Sequence, residues 1–437
     1  MKRIGLVLAL IGLLCLGGQS IAEQCTIDAV PAATLLLPYF EVDYSNPNGL
    51  TTLFSVNNAS AAPAVAHVTL WTDYSVPTID FDIFLTGFDV ATVNLRDVFN
   101  DGVLPRTADD SQDPDDTISP SPAGLGWDGD IPNCNGILPF TNPAVGAALL
   151  ERIQNGHTGN PSAFDGGACL GFNYGDNIAR GYITIDNVNN CNLLFPTSAG
   201  YFADAGAGTA SNQNQLWGDY FYVDVANAFA QGEPLVHIEA FDGVGTGGAW
   251  SAGDYTFYGR YVGGTAVDNR EPLTSVFGTR YLTGAGFSGG TDLIVWRDSK
   301  SPDASGVSCA SDPSWFPLAQ SEVVAFDEEE NPTVLCFDDG DISPPLDART
   351  CFPLETQRVP VGQVWAAGDP VDPPAENGWL FLNLNHTLGV GSPFPGIAQN
   401  WVTATMSASG LYSVGLEAIS LVSACDGLNP LIFPGGP

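Results

Sequence analysis

Residues 79–85 read Ile79-Asp80-Phe81-Asp82-Ile83-Phe84-Leu85, and this alternation decides the fold class. Ile79, Phe81, Ile83 and Leu85 point to one side of an extended chain, and Asp80 and Asp82 to the other. A repeat of two belongs to a strand with one face on a core and one in water, as in antiparallel sheets. Outward from it, 51–56, 67–71 and 90–95 read as further short strands, separated by turn clusters such as Asn57-Asn58-Ala59-Ser60. Residues 34–42 differ. Leu35, Leu36 and Leu37 in succession predict a strand buried on both faces. At an open edge, the same segment would invite pairing with another chain. Short strands at this spacing predict a mostly β fold of antiparallel immunoglobulin-like or jelly-roll sandwich units.

The pattern continues along the chain. Strands are expected at 181–188, 220–225, 235–241, 255–262, 292–297, 361–365, 379–384, 401–407 and 412–422. Residues 323–326 should meet 333–337 across the turn Glu328-Glu329-Glu330-Asn331-Pro332. One or two short helices interrupt this. The clearest covers 143–154, where Pro143 suits a first turn, Val145, Leu149, Leu150 and Ile153 recur at helical spacing, and Gly156 can end it. Residues 272–281 read as either a second short helix or a strand.

At 437 residues the chain exceeds what one core usually serves. Residues 1–22 read as a signal peptide: Lys2 and Arg3, an apolar run over 4–16, then Ser20-Ile21-Ala22 as a cleavage site. The run is shorter than the roughly 20 residues of a membrane span, so none is expected after cleavage. A β-sandwich unit is expected over 23–105, an acidic Pro/Gly-rich loop or linker over 106–136, and a larger β-rich domain over 137–437, with room for two subdomains. Cleavage leaves Cys25, Cys134, Cys169, Cys191, Cys309, Cys336, Cys351 and Cys425. An even number in an oxidising compartment predicts up to four disulfides, with Cys169–Cys191 and Cys336–Cys351 as local pairs. No CxxC spacing suggests zinc.

Acidic residues number 49 against 13 basic ones, a formal net charge of −36. Such a polyanion is repelled by nucleic-acid phosphates and anionic lipid surfaces, which removes both as partners. A protein, a glycan or a second copy remains. Aspartates outnumber glutamates 36 to 13, a bias towards turns, caps and cation-binding loops. Asp109, Asp110, Asp113, Asp115, Asp116, Asp128 and Asp130 cluster among prolines and glycines, and Asp338, Asp339 and Asp341 form a second group. They are candidate calcium ligands, although neither matches the EF-hand spacing; the competing reading is a solvated acidic loop. No P-loop or GxGxxG between strand and helix suggests a nucleotide cofactor.

Other constellations carry less. Gly286-Phe287-Ser288-Gly289-Gly290 fits G-x-S-x-G, but an extended run follows where a nucleophile elbow needs a helix. Of the four histidines, His67 and His237 lie in expected strands, which leaves His157 and His386 as general-base candidates. Asp80 and Asp82 form a carboxylate pair of the kind glycoside hydrolysis uses, or simply keep a sheet face wet. Trp127, Trp217, Trp250 and Trp315 sit beside Gly, Asp or Ser and are candidates for stacking on a sugar, against the alternative of anchoring loops to the core. Trp71, Trp296 and Trp401 fall within strands.

The stretches RGYITIDNV (from Arg180), LWGDYFYVD (from Leu216), LVHIEA (from Leu235) and GGTDLIVWRD (from Gly289) resemble exported bacterial β-rich proteins with no assigned activity. The resemblance implies bacterial origin and export, and no activity. The sequence therefore predicts a secreted or cell-surface structural or interaction protein, non-catalytic and calcium-stabilised if its loops bind the ion. An extracellular glycan-binding protein is the alternative, with a secreted hydrolase third. Calcium ligation by the acidic clusters predicts that millimolar calcium raises the melting temperature more than magnesium, or sodium at matched ionic strength. Equal shifts from all three would mean screening without a site.

Overall fold

A computed structural model describes residues 29–105, 145–203, 208–241, 255–262, 268–284, 286–299, 307–337, 349–386 and 398–422. The expected signal segment 1–22 and the linker 106–136 lie outside these residues. The chain forms strands β1 (Thr34–Asp43), β2 (Thr51–Asn58), β3 (Ala64–Trp71), β4 (Pro77–Leu85) and β5 (Val90–Asn94), then helices α1 (Leu95–Asp101) and α2 (Ala147–Thr158). The two-residue strands β6 (Pro161–Ser162) and β7 (Ala168–Cys169) lead to β8 (Ile178–Val188) and β9 (Leu216–Trp217). They are followed by β10 (Asp219–Asp224), β11 (Phe229–Pro234), β12 (Val236–Ile238) and the helical turn α3 (Gly259–Val262).

These strands make one sandwich. One sheet has the order β12-β1-β8-β3-β4 and the other β11-β10-β2-β5, with β9 beside β2. Leu37, Phe54, Phe81, Ile83, Ile185 and Tyr222 fill the core between them. Ile79, Phe81, Ile83 and Leu85 face that core, as the alternation predicts. The boundary drawn at residue 105 does not divide the sheets: β8 and β12 complete the sheet that β1, β3 and β4 begin. Early strands alone leave a sheet short of partners, and the chain supplies them from further along.

The second sandwich uses β13 (Val276–Leu282), β14 (Gly290–Arg297), β15 (Glu322–Phe326), β16 (Pro332–Phe337), β17 (Thr356–Pro360), β18 (Asn377–Asn383), β19 (Asn400–Ala408), β20 (Tyr412–Glu417) and β21 (Ile419–Ser420). Its sheets run β16-β15-β18-β13-β21 and β17-β14-β19-β20. Leu293, Val295, Val323, Leu380, Leu382 and Val402 pack between them. The acidic hairpin forms as expected: Asp327 Oδ1 accepts from the Glu329 and Asn331 N–H groups and closes the β15–β16 turn.

Several local expectations change. Residues 276–282 are strand, which settles the open choice at 272–281. Residues 255–262, expected as a strand, form none: they lead into the α3 turn, which carries Arg260 into a buried polar site. Strand β17 stops at Pro360, and 361–365 turns away from the sheet. Helix α1 was not anticipated; Asn94 caps it by accepting from Arg96 N–H, and Gly102, at φ 65°, ends it. Cys336–Cys351 forms as expected. Cys169 pairs with Cys309, not Cys191, tying the β7 loop of the first sandwich to a loop of the second; Cys191 is disulfide-bonded as well.

The sandwiches meet on a buried polar junction. Glu355, fully buried, takes both ends of a bidentate contact from Arg260 (Nη2 to Oε1 2.7 Å, Nη1 to Oε2 3.0 Å). Ser75 and Tyr182 of the first sandwich also donate to Oε1, each at 3.0 Å. Asp298 Oδ1 lies 3.1 Å from Arg260 Nη1. Beside this group, Arg358 joins Glu41 of β1 to Asp292 of β14. Stacked aromatic rings, Trp71 on Tyr182 and Phe257 on Trp296, seal it from water. Removing one partner strands the other without solvent. Glu355→Leu is therefore expected to cost about 3–5 kcal/mol in urea unfolding, and Arg260→Met with Glu355→Leu to recover most of it. A single variant as stable as wild type would show that the junction does not depend on this pair.

Candidate functional site

A cleft of about 210 Å³ opens where β11 and β12 of the first sandwich approach β19 and β20 of the second. Its position follows from strand alternation. Thr403 pairs with Glu417 across β19 and β20, so both side chains leave the same face of that sheet. Glu233 is the last residue but one of β11 and His237 the middle residue of β12, and both line the cleft. Trp401, Leu235 and Val236 supply apolar wall. Gly415 of β20 lets the backbone lie close against Gln231 and Glu233; a Cβ there would fall about 2 Å from both side chains.

The electrostatics are uneven. Partial burial raises the Glu233 carboxyl, opposed by a hydrogen bond from Gln231. Partial burial raises Glu417 too, and the charge of Glu233 adds to it. Burial lowers His237 to about 4, so its imidazole is neutral at neutral pH. Its Nε2 accepts from Gly218 N–H at 3.2 Å, which places the proton on Nδ1. Gln231 Oε1 is buried without a hydrogen-bond partner among the described residues. Burial raises the Tyr220 hydroxyl and the charge of Glu233 adds to it, opposed by a hydrogen bond with Thr403. Neither glutamate has an ion-pair partner among the described residues.

The residues singled out by sequence fare differently. Asp109, Asp110, Asp113, Asp115, Asp116, Asp128, Asp130, Asp338, Asp339 and Asp341 lie outside the described residues, as do Trp127 and Trp250. Among the described residues no three His, Cys, Asp or Glu are grouped to hold a metal. Trp217 is 43% exposed at β9, whereas Trp315 is 6% exposed and packs with Tyr74 and Phe316. These two do not form a platform. Ser288 Oγ accepts from Ser409 N–H. His157 and His386, the two base candidates, are buried and committed elsewhere. His157 bonds Thr78 Oγ1 and the Arg180 carbonyl, and His386 bonds the Asp298 carbonyl.

Asp80 and Asp82 do not keep a sheet face wet. The face opposite the core is roofed by the segment around Asn192 and Tyr201, and His67 lies beneath it between the two carboxylates. His67 Nδ1 is 2.7 Å from Asp82 Oδ1, and Nε2 is 3.7 Å from Asp80 Oδ2. Burial lowers the imidazole pKa, but the Asp82 hydrogen bond and the charges of Asp82, Asp80 and Asp186 outweigh it and raise the net value. This is an internal clasp with no opening to a substrate.

Sequence reasoning placed His237 and Trp401 in strands, which is correct, and gave neither a role. Glu233 and Glu417 carried no motif. Their one signal was chemical: glutamate is the rarer acid in this chain, and both sit at or next to the end of a strand.

Comparison of the chain with family models, with curated proteins and with solved structures finds no match. Among the described residues no helix is long and apolar enough to cross a membrane.

The clasp makes a pH prediction. Burial raises Asp80 from 3.8 to about 6, with Asp82 adding to the rise and His67 opposing it. The folded state thus binds protons more tightly than the unfolded one across that interval. Stability from this group is complete below 3.8 and is lost as pH rises through about 6. Asp80→Asn should flatten the fall in unfolding free energy across that range. The same slope in the variant would remove Asp80 as its source.

Proposed function

We propose that the protein is an exported, non-catalytic structural or interaction protein that meets its partner along strand β20. One observation carries this reading. Leu411, Tyr412, Val414, Leu416, Ile419 and Leu421 are all exposed, with Leu411 at 76% and Ile419 at 70%. Tyr412, Val414 and Leu416 share the face of β20 that continues the second sandwich core, past the two-residue strand β21 that ends the facing sheet. No strand covers them or pairs with the outer edge of β20 among the described residues.

Exposed edges in monomers are usually guarded by lysine, proline or a bulge, and β20 has none of these. A contiguous apolar surface at such an edge suits strand addition by another chain. The disulfides and the sequence resemblance support export from a bacterial cell, and calcium bound by the acidic loops would stiffen the same body. The non-catalytic part draws support from the histidines, all four of which hold structural hydrogen bonds.

The burial of segment 34–42 argues against it as the exchange site: β1 pairs with β8 along its length and with β12 over Thr34–Leu36, and its side chains are buried up to Val42.

A second copy is the simplest partner to test, and its approach is opposed by a net charge of −36. Raising sodium chloride from about 0.1 to about 1 M shortens the screening length from roughly 10 to roughly 3 Å. Light scattering should then detect association of the wild type, and Val414→Lys with Leu416→Lys should remain monomeric. Wild type that stays monomeric at every salt concentration would rule out self-assembly. Turnover of a chromogenic ester or glycoside would overturn the non-catalytic reading.

A further inference from the structure

The strand alternation that buries Leu216, Tyr220 and Tyr222 in the first core sends Trp217, Asp219 and Phe221 to the outer face of the same sheet. Trp217 is 43% exposed and Phe221 45%. About 13 Å of extended backbone separates the two rings. Phe221 stands opposite Gly232 of β11 and Leu53 of β2, and a Cβ at Gly232 would fall 2.3 Å from the ring. The ring thus lies across the bare glycine position and keeps its other side in solvent. Covering that glycine accounts for Phe221 and leaves the exposed Trp217 unexplained.

Polar groups fill the space between the rings. Ser55 Oγ donates to Asp219 Oδ1 at 2.7 Å and accepts from Asn57 Nδ2 at 3.1 Å. Ser55 pairs across the sheet with the exposed Thr92, and Asn57 lies between Trp217 and Val90. Solvent-facing sheet positions ordinarily carry charged residues. Among the described residues, Asp219 is the one charged side chain at the outward positions of β2, β5, β9, β10 and β11. In a chain of net charge −36, this face is locally close to neutral.

We propose that the outer face of this sheet binds a neutral glycan chain. Trp217 and Phe221 each stack on a sugar ring, and the row Asp219, Ser55 and Thr92 takes hydroxyls between them. A pyranose has an apolar face of C–H groups and a rim of hydroxyls, which suits aromatic rings alternating with polar groups. The serine and threonine hydroxyls donate and accept, and a carboxylate accepts strongly from a sugar hydroxyl. Near-neutrality of the face matches an uncharged ligand.

Other occupants fit less well. An anionic polymer is repelled by the net charge. A second copy meeting this face with its own would bring no cation to either Asp219, since the face has none. A protein partner with a continuous apolar hot spot would leave the polar row between the rings unmatched. The site is separate from the β20 edge and does not depend on it.

The test is calorimetric titration of the full disulfide-bonded protein with cellohexaose, chitohexaose and mannohexaose, and with hexagalacturonic acid as the anionic control. Saturable binding of at least one neutral hexamer is expected, and none of the acid. Trp217→Ala with Phe221→Ala should weaken it about tenfold or more, while Trp217→Phe, which keeps a stacking ring, should lose much less. Trp217→Ala alone should weaken binding at a wild-type melting temperature, which removes misfolding as the cause.

Failure of all three neutral hexamers to saturate by about 10 mM, equal binding of the acid, or undiminished binding by the double variant would overturn the proposal. So would loss of salt-dependent association in the double variant, which would assign the face to contact between copies. Sugar binding by a wild type that never associates would sink self-assembly through β20 and leave the glycan site standing.

Discussion

The buried carboxylate of Glu355 is the constraint on which the two-sandwich body depends. An ionised carboxylate removed from water is costly unless hydrogen bonds and an opposite charge replace its hydration. Glu355 obtains them from four parts of the chain: Arg260 in α3, Ser75 after β3, Tyr182 in β8 and the Ser299 N–H after β14. The first three cannot be supplied by the second sandwich. Ser75 is held at φ 61°, a left-handed conformation that a serine adopts at some cost, and its hydroxyl thereby reaches the site. The sandwiches consequently dock in a defined register, where an apolar interface would tolerate sliding. The aromatic rings around the pair exclude water and strengthen the same interaction.

Cation scarcity explains how the remaining charges are arranged. Beyond residue 22 the chain has ten arginines and one lysine, and several of these arginines are consumed inside. Arg270 is buried beside Asp186 and Asp268, while Arg358 bridges Glu41 and Asp292. Arg297 has no acidic partner among the described residues. It donates to the carbonyls of Leu318, Phe352, Ala319 and Leu384, and burial lowers it to about 9. It gathers three loops of the second sandwich around one side chain. With cations spent in this way, Glu233 and Glu417 are left to face each other's charge across the cleft.

The fold class was legible because it depends on local alternation. Ile79, Phe81, Ile83 and Leu85 predict their own orientation without reference to any partner. What covers the other face was not legible. Asp80 and Asp82 read as solvated because an outward aspartate normally meets water, yet here a later segment and His67 roof them. The boundary at residue 105 failed for the same reason: β8 joins β3 only through contacts more than 100 residues apart in sequence. Cysteine pairing divides the same way. Cys336 and Cys351 are joined by a short loop, whereas Cys169 finds Cys309 only once the sandwiches have docked. The cleft, made of two sandwiches, left no local trace beyond a few polar residues in strands.

The contrast between β1 and β20 carries this argument one step further. By sequence, the leucine run of β1 is the more obvious hazard, and Tyr-Ser-Val-Gly-Leu-Glu in β20 is an ordinary half-buried strand. Position in the sheet reverses the ranking. β1 has a neighbour on each side and a packed layer on each face, so none of its apolar surface is offered to another chain. β20 has one neighbour, and its apolar face extends beyond the sheet that should cover it. Hydrophobic strength therefore does not identify the sticky strand; the number of backbone and side-chain partners left unfilled does. The body otherwise relies on charge repulsion to stay dispersed, a defence that acts over a Debye length and weakens with salt. An apolar edge on a polyanion is thus shielded by repulsion in dilute salt and more open to approach in concentrated salt.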